Sequence, residues 1–257
     1  MRNIPVALQV YTIRDVASED YAGTLEKVAK MGYKGLEIGG FGPYNSGEWN
    51  SLLESLNLEI ISNHIPIETL EESFNHIAEF NLSIGNKHII CPYLREERRT
   101  DADDYKRVAE GLNKIGLKCK EKGMHLSYHN HGFEFINYNG KTGMDILFED
   151  TDPELVKFEL DTYWVTYGGE EVSQYMKKYA GRCEVLHLKD MANDEKKSFS
   201  EVGEGRLDFH TIMKTAVEIG VQNFVVEQDI CKRPPLESVE ISLKNIKKIK
   251  ADIGMAE

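Results

Sequence analysis

Cysteine is scarce in this chain and never paired in sequence: Cys91, Cys119, Cys183 and Cys231 form no CxxC. A disulfide scaffold and a zinc ribbon are therefore excluded, and no secretory apolar region precedes Pro5. No run approaches the roughly 18 apolar residues that span a bilayer, so a soluble protein of the reducing cytoplasm is expected. Basic charge is in the minority, with 31 Lys and Arg against 43 Asp and Glu and a net charge of −12. That balance argues against a nucleic-acid-binding surface. The densest basic spot, Arg95-Glu96-Glu97-Arg98-Arg99, mixes both signs and reads as a solvated loop. No GxGxxG follows the first apolar run, which weakens a dinucleotide-binding reading. Linkers and low-complexity inserts are also missing, so residues 1–257 are expected to form one domain.

What remains is an alternation. Strand-like runs are predicted at Val6–Tyr11, Gly35–Ile38, Leu58–Ser62, Lys87–Cys91, Met124–His129, Val156–Asp161, Glu184–Lys189 and Phe224–Gln228. Between and after them, helical spacing of apolar residues predicts helices. These cover Tyr21–Met31, the Trp49–Leu56 region, Leu70–Phe80, Asp101–Lys122, Gly143–Glu149, Val172–Tyr179, Phe209–Ile219 and Leu236–Ile249. Eight strand–helix units imply parallel strands with right-handed crossovers. In about 250 residues they favour a closed (β/α)8 TIM barrel over an open sheet.

The chemistry gathers at the carboxyl ends of these strands, where such barrels build their sites. Gln9, Glu37, His64, His129, Asp161, His187 and Glu227 each close an otherwise apolar run. Alternation puts His187 and Lys189 on one face of their strand, and Glu227 and Asp229 on one face of theirs. Carboxylates and an imidazole from neighbouring strands can surround a divalent cation, with Lys or Gln orienting what binds there. Oxygen-rich ligation with one His suits manganese, cobalt or magnesium better than structural zinc. Glu159, two residues before Asp161, reads either as a buried partner for a charge or as a further site residue. As lone polar groups, His64, His88 and His125 read first as satisfied structural residues, and His76 and His210 as surface or packing residues. Trp164 follows a ligand strand and is a candidate sugar-stacking wall. Gly203-Glu204-Gly205-Arg206 reads as a turn, with phosphate binding as its alternative.

The order of these motifs resembles the sugar phosphate isomerase/epimerase family, which shares the fold type of xylose isomerase. The resemblance rests on Leu8-Gln9-Val10-Tyr11-Thr12-Ile13-Arg14-Asp15, Gly32-Tyr33-Lys34-Gly35-Leu36-Glu37, His129-Asn130-His131 with Glu134-Phe135, and Leu160-Asp161. It continues through His187-Leu188-Lys189-Asp190, Gly203-Glu204-Gly205 and Val226-Glu227, and so covers nearly the whole chain. It implies a divalent metal (manganese, cobalt, magnesium or zinc) held by Glu, Asp, His and Glu from the last four strands. Asp161, His187 and Glu227 match three of these ligands. Many relatives carry Glu where this chain has His129, so the fourth ligand is either Glu134 or His129, with Glu134 preferred.

On this resemblance, His129, His131, Glu134 and Glu227 are the candidate proton carriers. Gln9, Glu37, His64, Trp164 and Lys189 are assigned to a carbohydrate substrate. The leading expectation is an isomerase or epimerase of a sugar, keto-sugar or sugar phosphate, acting by proton abstraction beside a carbonyl. The alternative is a lyase or dehydratase eliminating from a 3-keto-glycoside or keto-inositol. A non-catalytic sugar-binding barrel is third, and a DNA-repair nuclease is disfavoured by the acidic charge. A homo-oligomer is compatible with the sequence; nucleic acid and membrane are not expected partners.

Overall fold

The computed structural model describes residues 1–255. Val6, Ala7 and Leu8 are all buried in the first strand, as expected for a parallel strand covered on both faces. Eight such strands form the barrel: β1 (Val6–Gln9), β2 (Gly35–Gly39), β3 (Glu59–His64), β4 (His88–Cys91), β5 (His125–His129), β6 (Val156–Asp161), β7 (Cys183–Leu188) and β8 (Asn223–Val226). They pair in parallel and in sequence order, and β1 closes on β8. The predicted TIM barrel is the observed fold.

Among the described residues ten α-helices accompany them: α1 (Arg14–Glu19), α2 (Tyr21–Met31), α3 (Ser46–Leu56), α4 (Ile67–Ser83), α5 (Ala102–Glu121), α6 (Gly143–Asp150), α7 (Thr162–Tyr167), α8 (Val172–Lys178), α9 (Phe209–Ile219) and α10 (Pro235–Asp252). None is long and apolar enough to cross a membrane. The larger helices bury one stripe each, as Leu25 and Val28 do in α2. Each such side chain contributes about 1.5–3 kcal/mol by leaving water. Helix α2 stops at Gly32, whose φ of 106° is left-handed and costs a glycine little.

Two packing layers result. The main core lies between strands and helices, while Ala7, Val185 and Val225, with Ile61 against them, form a small apolar plug inside the barrel. Register then stacks the polar strand ends at one level. Gln9 pairs with Glu37, His129 with Glu159, and Asp161 with His187. The register shifts at Leu36/Glu37 against β3 and at Phe158/Glu159 against β7. Such irregularities bend a strand and re-aim its side chains, and both fall on glutamates of the site.

Several short elements were not predicted. The first strand ends at Gln9, and Val10–Ile13 turn instead into a 3-10 helix leading to α1. Helix α7 occupies the Trp164–Tyr167 run, started by Asp161 Oδ1 accepting the Trp164 N–H at 2.9 Å. Single turns held by a cap carry no amphipathic period to read.

Candidate active site

The carboxyl ends of the strands surround a cavity of about 710 Å3, lined by Gln9, Tyr11, Arg14, His64, Tyr93, His129, His131, Glu227 and Asp229 among others. Two clusters meet at its base, with His187 between them.

The first cluster gathers Glu37, His64, His129, Glu159 and one edge of His187. Glu159 Oε2 lies 2.9 Å from both His64 Nε2 and His129 Nδ1, and its Oε1 lies 3.1 Å from His187 Nε2. Glu37 Oε1 lies 2.9 Å from His64 Nε2 and 2.7 Å from His187 Nε2. Gln9 Nε2 and Ser62 Oγ also donate to the Glu37 carboxylate. Burial opposes ionisation of Glu159, yet His187 and His64 hold its carboxyl well below the usual range. Conversely, burial works against a charged His64, but Glu37 and Glu159 raise it to about 10.

The second cluster is organised by Lys189, which is 1% exposed. Its ammonium lies 3.0 Å from Asp161 Oδ2, 2.7 Å from Glu227 Oε2 and 2.9 Å from Asp229 Oδ2. Burial disfavours that charge, and the three carboxylates nevertheless hold it well above the ordinary lysine range. Burial pushes Asp229 up against the pull of Lys189. The other edge of His187 joins this side, its Nδ1 at 3.2 Å from Glu227 Oε2.

The donors fit a divalent cation. Among the described residues, His64, His129, Glu159 and His187 form one group of ligand atoms within 4.8 Å of one another, and His129, Asp161, His187 and Glu227 form another. Buried Glu159 Oε1 and Asp161 Oδ2 lack a well-oriented hydrogen bond, although each has a cationic group close by. Imidazole nitrogen and carboxylate oxygen are ligands that manganese, cobalt and zinc all accept.

Gln9, Glu37, His64, His129, Asp161, His187, Lys189 and Glu227, all singled out from the sequence, thus meet in one place. Glu134 does not meet them. Its oxygens accept the Tyr128 hydroxyl at 2.6 Å and the His131 N–H at 2.8 Å, so it fastens the turn after β5 and joins neither ligand group. The structure thus places Glu134, the preferred fourth ligand and a candidate proton carrier, outside both donor groups and outside the cavity lining, and brings His129 into both groups. Burial raises its carboxyl to about 7. His131 lines the cavity, and burial, then His129 and Lys189, hold its ring well below the usual histidine range. Its ring stands 5.4 Å from Trp164, whose indole has Lys189 Nζ at 5.8 Å.

Elsewhere, His88 contacts Ser127 Oγ at 2.7 Å at the opposite end of the barrel, with exposed His125 beside it. His76 packs on Phe41, and His210 meets Asp252 at the surface. The phosphate alternative for Gly203–Arg206 falls away. The Gly203 and Gly205 N–H groups both donate to Asp190 Oδ2, and Arg206 is turned onto Met191 Sδ. Asp229 is the one member of the second cluster that the sequence reading left without a role. Its i, i+2 spacing from Glu227 was the available signal.

A family model described as xylose isomerase-like TIM barrel matches residues 25–249. Inosose dehydratase from Clostridium perfringens is 27% identical over 283 aligned positions, covering 95% of each chain. Inosose dehydratase from Clostridium tetani is 26% identical over 86% of this chain and 87% of that protein. A solved sugar phosphate isomerase/epimerase from Parabacteroides distasonis superposes with a TM-score of 0.85 at 26% identity, covering 96% of this chain and 94% of that one. A probable 3-DHS dehydratase from Bacillus anthracis has a TM-score of 0.71 at 13% identity over 95% and 99% of the two chains, a likeness of fold alone.

Proposed function

Because the chain belongs to the xylose isomerase-like TIM barrel family, we propose that it is a divalent-metal-dependent lyase that dehydrates a cyclic keto-polyol such as a keto-inositol. The observation that carries this reading is that His131 and Asp229 face one cavity, in a chain whose relatives over nearly the full length are named inosose dehydratase. His131 accepts the proton from the carbon beside the ketone, since its lowered basicity leaves the ring unprotonated at neutral pH. The hydroxyl on the next carbon departs as water, its proton supplied through the Lys189–Asp229 pair, whose carboxylate lines the cavity. Trp164 forms an apolar wall beside both His131 and Lys189.

A divalent cation, when bound, supplies positive charge to the oxyanion that develops at the ketone oxygen. His129 and His187 belong to both groups of donors and would hold it with Glu159 and His64 or with Asp161 and Glu227. The substrate is taken to be uncharged. Arg14 is the one Lys or Arg among the described lining residues, and its guanidinium donates to the backbone carbonyls of Tyr11 and Asp229. Free thiols at Cys91, Cys119, Cys183 and Cys231 support a reducing, cytoplasmic setting.

The second reading, an isomerase or epimerase, uses the same proton loss but returns the proton to carbon. The Parabacteroides structure favours it. Incubation of the manganese-loaded protein with a keto-inositol in deuterated water separates the two. Formation of a product lighter by one water supports the lyase. Deuterated epimer or isomer without water loss replaces it with the second reading. Neither exchange nor product with any keto-polyol or ketose would overturn both and leave a sugar-binding barrel.

A further inference from the structure

Glu134 is fully buried, and the proposed chemistry does not use it. Its near partners are a hydroxyl and a backbone N–H rather than a cation: the Tyr128 hydroxyl donates to Oε1 at 2.6 Å and the His131 N–H to Oε2 at 2.8 Å. Taking a carboxyl group out of water costs free energy, and burial raises this one to about 7 against the pull of those bonds. An apolar side chain of similar size would fill the space without that cost. Stability alone therefore does not account for an acid here.

The backbone that Glu134 holds carries the proton acceptor. His131 lines the cavity, yet its Nδ1 is buried without a hydrogen-bond partner. Packing aims the ring, which stacks on Phe133 at 5.4 Å with 4° between the planes and meets Tyr93 edge-on at 5.3 Å. The Arg99 guanidinium covers Phe133 in turn, at 3.8 Å. The place of the imidazole thus follows from the course of the chain through 130–134. Glu134 fixes that course by accepting the His131 N–H, and Asn130 Oδ1 accepts the Asp161 N–H at 3.0 Å across to β6. Between them Gly132 lies so close to α7 that a Cβ built on it would stand 2.9 Å from the Tyr167 ring.

We propose that Glu134 is a positioning residue for the reaction, its carboxyl group clamping the turn after β5 so that the His131 imidazole is presented to the substrate. This inference rests on the reading that His131 accepts the proton. A base displaced by about 1 Å loses on the order of 100-fold in rate, so a bond that fixes the turn acts on catalysis without touching the substrate.

The test compares Glu134→Leu with Glu134→Gln in manganese-loaded full-length protein, assayed for water loss from a keto-inositol. Leu fills the space and accepts no hydrogen bond, whereas Gln can still accept the His131 N–H while its amide donates to the Tyr128 oxygen. For Glu134→Leu the expected result is a kcat lower by about 100-fold, a KM within about threefold and an unchanged or higher melting temperature. Glu134→Gln is expected to restore kcat to within about threefold of wild type. Hydrogen exchange followed by NMR reads the clamp without any turnover: the His131 amide loses protection in Glu134→Leu and keeps it in Glu134→Gln. An undiminished kcat in Glu134→Leu, a Gln variant as slow as the Leu variant, or a loss of kcat matched by a higher KM or a lower melting temperature would overturn the positioning role and leave the lyase reading intact. Wild type that neither dehydrates a keto-polyol nor exchanges its proton would overturn both.

Discussion

Lys189 shows what one residue does when it is placed beyond the reach of water. Its ammonium balances Asp161, Glu227 and Asp229, so removing it leaves three carboxylates crowded together with no lysine between them. Lys189→Met is expected to destabilise the protein by about 3–5 kcal/mol, measured by urea denaturation of the metal-free form. A loss below 1 kcal/mol would mean that the carboxylates find another counter-charge. His131 presents the opposite case, a ring at the cavity whose Nδ1 has no hydrogen-bond partner. His131→Asn should lower kcat by about 10²–10⁴-fold with little change in melting temperature. An unaltered kcat would remove His131 as the proton acceptor. The direction of Glu134 is not legible in the sequence, because a carboxylate five residues after a strand-end histidine looks the same there whether it turns toward the cavity or away. The Tyr128 hydroxyl beneath it and the His131 N–H decide the matter.

At the scale of elements, the predicted helices and strands stand within a few residues of those observed, and β6 and α9 agree at both ends. Apolar periodicity marks them because each must cover a shared core. The register irregularities at Glu37 and Glu159 leave no such mark, since they arise from how neighbouring strands pair. Close helix–strand packing also sets local tolerance. A Cβ built on Gly116 of α5 would lie 2.5 Å from the backbone oxygen of Leu155, just ahead of β6. Ala in place of a helical glycine ordinarily gains about 1 kcal/mol. Here overpacking of about 1–3 kcal/mol opposes it, and a backbone oxygen cannot swing aside. Gly116→Ala is therefore expected to lower the melting temperature, and a rise would show that α5 shifts without penalty.

The whole molecule carries a net charge of −12, and its stability toward acid depends on carboxylates that are ion-paired in the fold. Asp145 is representative. Burial pushes its carboxyl up, but Lys178, Tyr179 and Thr142 bring it down to about 2 from an ordinary 3.8. The unfolded chain therefore binds the proton first as pH falls, so the stability Asp145 contributes is present above about pH 4 and is lost toward pH 2. Denaturation curves over that window should fall less steeply for Asp145→Asn than for wild type. Equal slopes would show that Asp145 plays no part in acid unfolding.

The sequence by itself determined the barrel and the level of its site, because eight apolar runs ending in polar residues have few other ways to bury their backbones and both faces. It also named nearly all the residues that meet there, since barrel closure brings strand ends together whatever the loops do. Tertiary structure decided which of them face one another. His187 presents one edge to Glu37 and Glu159 and the other to Glu227, and Lys189 fills the space among three carboxylates. Those partnerships depend on strand register, bulges and side-chain packing across the barrel mouth, and contacts between residues 150 positions apart, such as Glu37 and His187, leave no local pattern along the chain.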